Sequence, residues 1–260
     1  MTDIATLPSK RVCGTCELRK GGDCRFAALS GVRVRHLAKG ETLVHEGEVP
    51  ERLFLLRRGY LRMLRFGCDG DRVVMALLAA GDVVPAFPGR ALGFSVEAAS
   101  DTEVCEISGA AFRAAFGRDT ALRHRILDNA AAHLRRLQDA IWLRGRLTSR
   151  ERVIAFLVQA TECMPVDRLP DGSLRVTMRV SRGDWADMSD TTVETVSRVV
   201  RGLADEGLVE TLARHRYRIP DIAGLRRLAR LDPAGAEGAP GPAPWQVIGP
   251  RGDRSVVRHQ

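Results

Sequence analysis

Long apolar runs are missing from this 260-residue chain. None approaches the ~18 uninterrupted residues that a membrane-spanning helix needs, so no such helix and no membrane partner are expected. Residues 1–10 carry Asp3 and no apolar core, so no secretory signal is expected there and the expected compartment is the reducing cytoplasm. Enzyme signatures are missing too: there is no Walker loop, no Gly-x-Gly-x-x-Gly, no Gly-x-Ser-x-Gly and no His-Glu-x-x-His. His36, His45, His124, His133 and His215 are scattered and His259 stands near the end, so no catalytic activity is expected. Lysine is scarce, supplying three of the 40 basic residues.

What remains is ordinary globular material. A hydrophobic share of 45% with 28% charged residues excludes wholesale disorder, and the length suits two domains of common size. The formal charge of +8 favours an anionic partner such as nucleic acid, although an arginine excess is also what a GC-rich gene encodes.

The chain reads in sections. Residues 1–30 form a short arm rich in cysteine and glycine. Within 31–118, apolar runs are cut by turn signals: Leu43-Val44, Leu53 to Leu56, Tyr60 to Phe66, Val73 to Leu78 and Val104 to Ile107. Strands at this spacing with glycine turns predict a β-roll or barrel, giving an α+β chain overall. In 119–146 the period changes, with no proline and Gly145 the sole glycine. There Leu127, Ala130, Leu134, Leu137 and Ile141 are spaced 3, 4, 3, 4, an a/d seam flanked by Arg123, Arg125, Asp128, Arg135, Arg136, Gln138 and Asp139. It fits an amphipathic helix packed on its own domain, or a parallel coiled-coil helix that pairs two copies. Residues 147–222 read as mostly helical, with a turn at Asp171-Gly172 and a strand from Leu174 to Met178, and 232–260 as a disordered Pro/Gly/Ala-rich tail.

Ser181 to Leu203 has the pattern of a helix-turn-helix. Ser181 can cap a helix with Asp184 in its first turn, Ala186 supplies the small residue, Asp190 the turn position and Val196 the branched apolar residue ten positions after Ala186. In the second helix Val193, Val196, Val200 and Leu203 make an inward stripe, while Glu194, Ser197, Arg198 and Arg201 stand opposite. Such a face can read bases in a major groove, Glu accepting from cytosine and Arg bridging guanine; equally it can be a solvated face with a Glu194–Arg198 ion pair. Glu210 to Ile219, with Arg214, His215, Arg216 and Arg218, predicts a wing-like hairpin whose Arg214 and Arg216 reach phosphates.

Three of the six cysteines, Cys13, Cys16 and Cys24, fall within twelve residues among Gly14, Gly21 and Gly22. In a reducing compartment such a thiol set suits a soft ion, zinc or iron–sulfur. A cubane needs a fourth ligand, from Cys68, Cys105 or Cys163; zinc completed by His36 or His45, or unliganded cysteines, are the alternatives.

From about residue 30 to 222 the chain resembles the Crp/Fnr family of bacterial transcription regulators. The resemblance is carried by Lys39-Gly40-Glu41-Thr42-Leu43 with Glu46-Gly47-Glu48, by Ala80-Gly81-Asp82-Val83-Val84, and by Val193-Glu194-Thr195-Val196-Ser197-Arg198, which looks like the family's Glu-x-x-Ser-Arg signature. It implies a β-roll sensor like a cyclic-nucleotide-binding domain, a long dimerisation helix and a C-terminal winged helix-turn-helix. It also implies base reading by Glu194, Ser197 and Arg198 at a palindrome of TTGAT-like half-sites. Ser189 and Asp190 depart from the apolar residue and the glycine usual there. The arm, with Cys105 in Val104-Cys105-Glu106-Ile107, resembles the Fnr branch and its FnrN-like subgroup, and so implies a 4Fe–4S cluster on Cys13, Cys16, Cys24 and Cys105. The implied protein is an oxygen-responsive homodimeric activator that meets RNA polymerase, with Asp82–Arg90 as the candidate contact. Nucleotide-binding members follow a Gly-Glu with Arg-Ser or Arg-Thr; Arg90 is followed by Ala91, so no cyclic nucleotide is expected.

Overall fold

A computed structural model describes Phe26, Leu29 and residues 31–231. Cys13, Cys16, Cys24 and the 232–260 segment lie outside the described residues.

Seven strands occupy the first half: β1 (Arg33–Leu37), β2 (Thr42–Val44), β3 (Arg52–Arg58), β4 (Tyr60–Phe66), β5 (Arg72–Ala79), β6 (Ser95–Ala98) and β7 (Thr102–Ser108). They form two sheets, ordered β1-β7-β3 and β2-β6-β4-β5. The expected roll is therefore present, with two strands that the apolar runs did not announce. β1 is Arg-Val-Arg-His-Leu and β6 is Ser-Val-Glu-Ala, each too short and too polar to stand out by hydrophobicity. The β3–β4 turn depends on Gly59, whose φ is 86° and whose added side chain would run into the carbonyl of Asp101.

Helices follow: α1 (Gly109–Arg118), α2 (Thr120–Arg146) and α3 (Ser149–Cys163). Ser108 caps α1 by accepting from the Ala111 N–H at 3.2 Å. Between α2 and α3 the chain turns at Thr148, where Thr148 and Glu151 cap each other reciprocally. The Thr148 N–H and hydroxyl, both donating to the Glu151 carboxylate, hold it below its ordinary pKa. After α3 come β8 (Val166–Arg168), β9 (Leu174–Thr177), α4 (Arg182–Met188), α5 (Val193–Asp205), β10 (Glu210–Ala213), β11 (Arg216–Ile219) and α6 (Ile222–Leu228). The last sheet runs β10-β11-β9-β8, antiparallel throughout.

The described residues divide into two compact units, with the division inside α2 between Ala132 and His133; the β4–β5 segment Arg62–Leu77 belongs with the second. In the first unit β7, β3 and β1 bury Cys105, Ile107, Leu53, Leu55 and Val34 against Phe112 of α1 and Leu122 and Ile126 of α2. Asn129, also on α2 and buried, accepts from the Val83 N–H at 3.2 Å.

In the second unit Trp185 is the centre. It is fully buried, its indole N–H donates to the Val153 carbonyl at 3.2 Å, and its ring lies 5.8 Å from Phe156 and edge-on to Tyr217 at 5.9 Å. One residue thus joins α3, α4 and the last sheet, with its polar edge satisfied.

Candidate nucleic-acid interface

The helix-turn-helix is α4, the turn Ser189–Thr192 and α5. Ser181 accepts from the Asp184 N–H (3.0 Å) while Asp184 accepts from the Ser181 N–H (3.1 Å), which starts α4 where the sequence expects it. Ala186 and Val196 are buried, as the motif requires. Asp190 adopts φ 50°, the left-handed conformation usually given to glycine.

Arg152 of α3 compensates for this residue. Its Nε donates to the Ser189 carbonyl at 2.8 Å, its Nη2 to the Asp190 carbonyl at 3.0 Å, and its Nη1 to the Leu147 carbonyl at 2.7 Å. One guanidinium therefore joins the helix-turn-helix turn to the α2–α3 junction. Sequence reasoning missed Arg152, because its partners are main-chain atoms 37 and 38 residues away.

Thr192 caps α5, accepting from the Thr195 N–H at 3.2 Å. The packed stripe is Val196, Val199, Val200 and Leu203. Val193, expected to point inward, is 40% exposed. It stands on the first turn, and Val199 takes its place in the stripe. Glu194, Ser197, Arg198 and Arg201 are all exposed. The Glu194 carboxylate is held below its ordinary pKa by its own main-chain N–H and the Thr192 side chain, which keeps it an acceptor. Arg198 donates to Thr195 Oγ1 at 3.3 Å, and among the described residues no ion pair joins it to Glu194.

The hairpin β10–β11 sits where the sequence predicts it, with Arg214 in the turn, His215 at φ 67°, and Arg214 and Arg216 exposed. Arg218 is different. It pairs with Glu210 (2.9 Å) and Asp171 and donates to Ser173 Oγ (3.0 Å), so it fastens the hairpin base. Elsewhere on this unit Arg150, Arg175 and Arg226 pair with Glu206, Asp167 and Glu162. Among the described residues Arg198, Arg201, Arg214 and Arg216 pair with no carboxylate. Cations left exposed and uncompensated on one helix and one hairpin tip suit a polyanion.

The seam residues of α2 lie open to solvent in the single chain. Leu127, Leu134, Leu137 and Ile141 are 60, 57, 36 and 72% exposed, and Ala130 is exposed as well. The reading of α2 as a helix packed by this seam on its own domain is therefore wrong: the inward face carries Leu122, Ile126, Asn129, His133 and Leu143 instead. Arg136, expected on a charged flank, is on that inward face too, with Nη2 3.1 Å from His133 Nδ1.

Of the four cysteines expected to act together, Cys105 alone is described. It is 5% exposed, paired in register with Val34 and Leu55, and faces the cluster containing Phe26, Leu122 and Ile126. Cys68 is exposed in the β4–β5 turn and Cys163 ends α3. His36 and His45 are exposed, and among the described residues no three His, Cys, Asp or Glu side chains converge on a metal site. Asp82, at the head of the Asp82–Arg90 loop, is fully buried and accepts from the Ala79 N–H at 2.9 Å. Arg90 is exposed.

Residues 34–119 match the cyclic nucleotide-binding domain, and residues 151–228 match the Crp-like helix-turn-helix domain. The transcriptional activatory protein AadR of Rhodopseudomonas palustris is 32% identical over 173 residues, which cover 65% of this chain and 70% of AadR. The nitrogen fixation regulation protein FixK of Azorhizobium caulinodans is 29% identical over 191 residues, 74% of this chain and 77% of FixK. The structure of FixK2 from Bradyrhizobium japonicum superposes with a TM-score of 0.69 at 26% identity, covering 76% of this chain and 96% of that one. By name AadR is a transcriptional activatory protein and FixK a regulation protein, neither of them an enzyme. A nucleotide-binding-type roll, a long helix and a winged helix-turn-helix, matched in sequence and in fold, place the chain in the Crp/Fnr family of DNA-binding transcription regulators.

Proposed function

We propose that the chain is an oxygen-responsive activator that works as a homodimer, reads a palindrome of TTGAT-like half-sites, and senses through a 4Fe–4S cluster held by Cys13, Cys16, Cys24 and Cys105. One observation carries the sensing part. Cys105 shares a buried cluster with Phe26, two residues after Cys24, and with Leu122 and Ile126 of α2. Phe26 lies in the core that holds the strand thiol, and that core includes the start of the helix bearing the exposed seam. A thiol in an apolar shell, with three more in the glycine-containing sequence that ends two residues before Phe26, fits the donor set that a cubane requires.

When bound, the cluster supplies an oxygen-labile crosslink between the arm and β7. The protein's own residues do the rest. Phe26, Phe112, Leu122 and Ile126 exclude water around Cys105. Leu127, Ala130, Leu134, Leu137 and Ile141 offer a second copy an apolar stripe that water otherwise covers. Two copies joined there present two α5 helices to successive major-groove faces. The exposed Glu194, Ser197 and Arg198 read bases, and Arg201, Arg214 and Arg216 hold the backbone.

Activation rather than repression is supported by the name of AadR, an activatory protein. RNA polymerase is then the second partner, met by the Asp82–Arg90 loop, where Gly89 and Arg90 are exposed. The buried Asp82 and the missing hydroxyl after Arg90 support a roll that works without a cyclic nucleotide. The test is binding of a palindromic duplex by protein purified without oxygen, before and after exposure to air. Tight binding that air abolishes is expected. Equal binding in both conditions contradicts the oxygen response, and cyclic AMP restoring the aerated protein contradicts the nucleotide-free roll.

A further inference from the structure

Two arginines on the β4–β5 segment reach the first helix of the helix-turn-helix. Arg62 interrupts the apolar strand Leu61-Arg62-Met63-Leu64, and it is buried. Its Nη1 donates to Asp184 Oδ1 at 2.6 Å, and Asp184 is 1% exposed. Arg72, where β5 begins, donates from Nη2 to Asp187 Oδ2 at 2.5 Å and lies 3.6 Å from Asp184 Oδ1. Both carboxylates stand on α4, and Arg62–Leu77 packs into the same compact unit as α4. A strand that carries a buried guanidinium in an apolar run needs a partner for it, and here the partner is the residue that starts the helix-turn-helix.

We infer that the β4–β5 hairpin clamps α4 through Arg62–Asp184 and Arg72–Asp187, and that this clamp fixes the posture of the recognition helix for palindromic DNA. Arg62 and Arg72 are positioning residues: they reach α4 and leave the exposed face of α5 untouched. This rests on the reading of α5 as the DNA-reading helix. A single half-site engages one α5 and one wing, whose own contacts the clamp does not make. A palindrome must be met by two helix-turn-helices at a set separation, and rotational freedom in either lowers the effective concentration of the second. The clamp therefore acts on palindrome binding and spares half-site binding.

The outer pair provides the test, because Arg72 and Asp187 are partly exposed and their loss leaves the buried Arg62–Asp184 pair and the α4 cap in place. Full-length protein prepared without oxygen is titrated with a palindromic duplex and with a single half-site duplex. Arg72→Ala and Asp187→Ala should each weaken palindrome binding by about tenfold and half-site binding by less than about twofold, and the double variant should be no worse than either single. Arg72→Lys, which keeps a cation beside both Asp187 and Asp184, should retain most of the palindrome affinity. Hydrogen exchange should quicken in the hairpin and α4 of the alanine variants and stay near wild type in Arg72→Lys. Unchanged palindrome binding in the alanine variants, a parallel fall on both duplexes, or an Arg72→Lys protein as weak as Arg72→Ala each overturns the clamp. The same duplexes separate this from failure of the underlying reading: an Arg198→Ala protein that binds both like wild type removes the DNA-reading role of α5, and the clamp's purpose with it.

Discussion

Arg152 holds Asp190 in two ways, donating to its carbonyl at 3.0 Å and lying 3.8 Å from its carboxylate. The left-handed turn residue is an aspartate where glycine would be free of strain, and the guanidinium supplies what the backbone conformation costs. Arg152→Ala strips three main-chain carbonyls of a charged donor and should destabilise the second unit by ~2–3 kcal/mol, read by urea unfolding followed through tryptophan fluorescence. Asp190→Gly should stay within ~1 kcal/mol of wild type, because relief of the positive φ offsets the loss of a weak, partly exposed ion pair.

The motif itself was legible because helix-turn-helix geometry is local: Ser181, Ala186, Asp190 and Val196 fall at fixed offsets, and caps and turns act over three or four residues. The seam of α2 was legible for the same reason. What the sequence could not display was pairing across distance. Arg152 with Ser189 and Arg62 with Asp184 are joined only by folding, and β1 and β6 are strands by virtue of their neighbours rather than their own apolar content. Strand alternation alone leaves both faces open to Cys105; packing with Phe112, Leu122 and Ile126 puts it in the core. Val193 departs from the inward stripe because it stands on the first turn of α5, which opens to solvent.

On DNA, Arg198 and Arg214 should separate. Arg198→Ala should cost ~1–3 kcal/mol at the guanine-bearing position and little elsewhere, since a bidentate contact is lost. Arg214→Ala should weaken all sequences alike and lower the salt slope by about one unit. A half-site substitution panel at two salt concentrations measures both.

Leu134→Glu or Ile141→Glu should give a folded monomer. Both positions are exposed in the single chain, so the fold loses nothing. In a pair each glutamate meets its own symmetry mate, at a cost of about 3–5 kcal/mol where the charges are desolvated. Sedimentation without oxygen reads the outcome, a monomer being expected.

The base of the wing should respond to acid late. Asp171 is pushed down to about 2, first by the Ser173 hydroxyl and N–H and then by Arg218. A depressed carboxyl stabilises the folded state above its unfolded pKa, and that contribution is lost as pH falls through the folded value. The β8–β9 turn and the Arg218 anchor should therefore hold down to about pH 4 and loosen toward pH 2, with a carboxyl carbon titration of Asp171 centred near the lower value. Asp171→Asn should remove that titration.

The central claim is that the arm and the β7 thiol jointly hold an oxygen-labile cluster. The most direct measurement is iron and acid-labile sulfide, with the visible spectrum, on protein purified without oxygen as wild type, Cys105→Ser and Cys68→Ser. The account predicts broad absorbance near ~420 nm with no sharp Soret band in wild type and Cys68→Ser, and loss of iron, sulfide and colour in Cys105→Ser, because thiolates bind the metal readily and a serine alkoxide is not formed at neutral pH. A colourless wild-type protein carrying zinc, or a Cys105→Ser protein with full iron and sulfide, would contradict it.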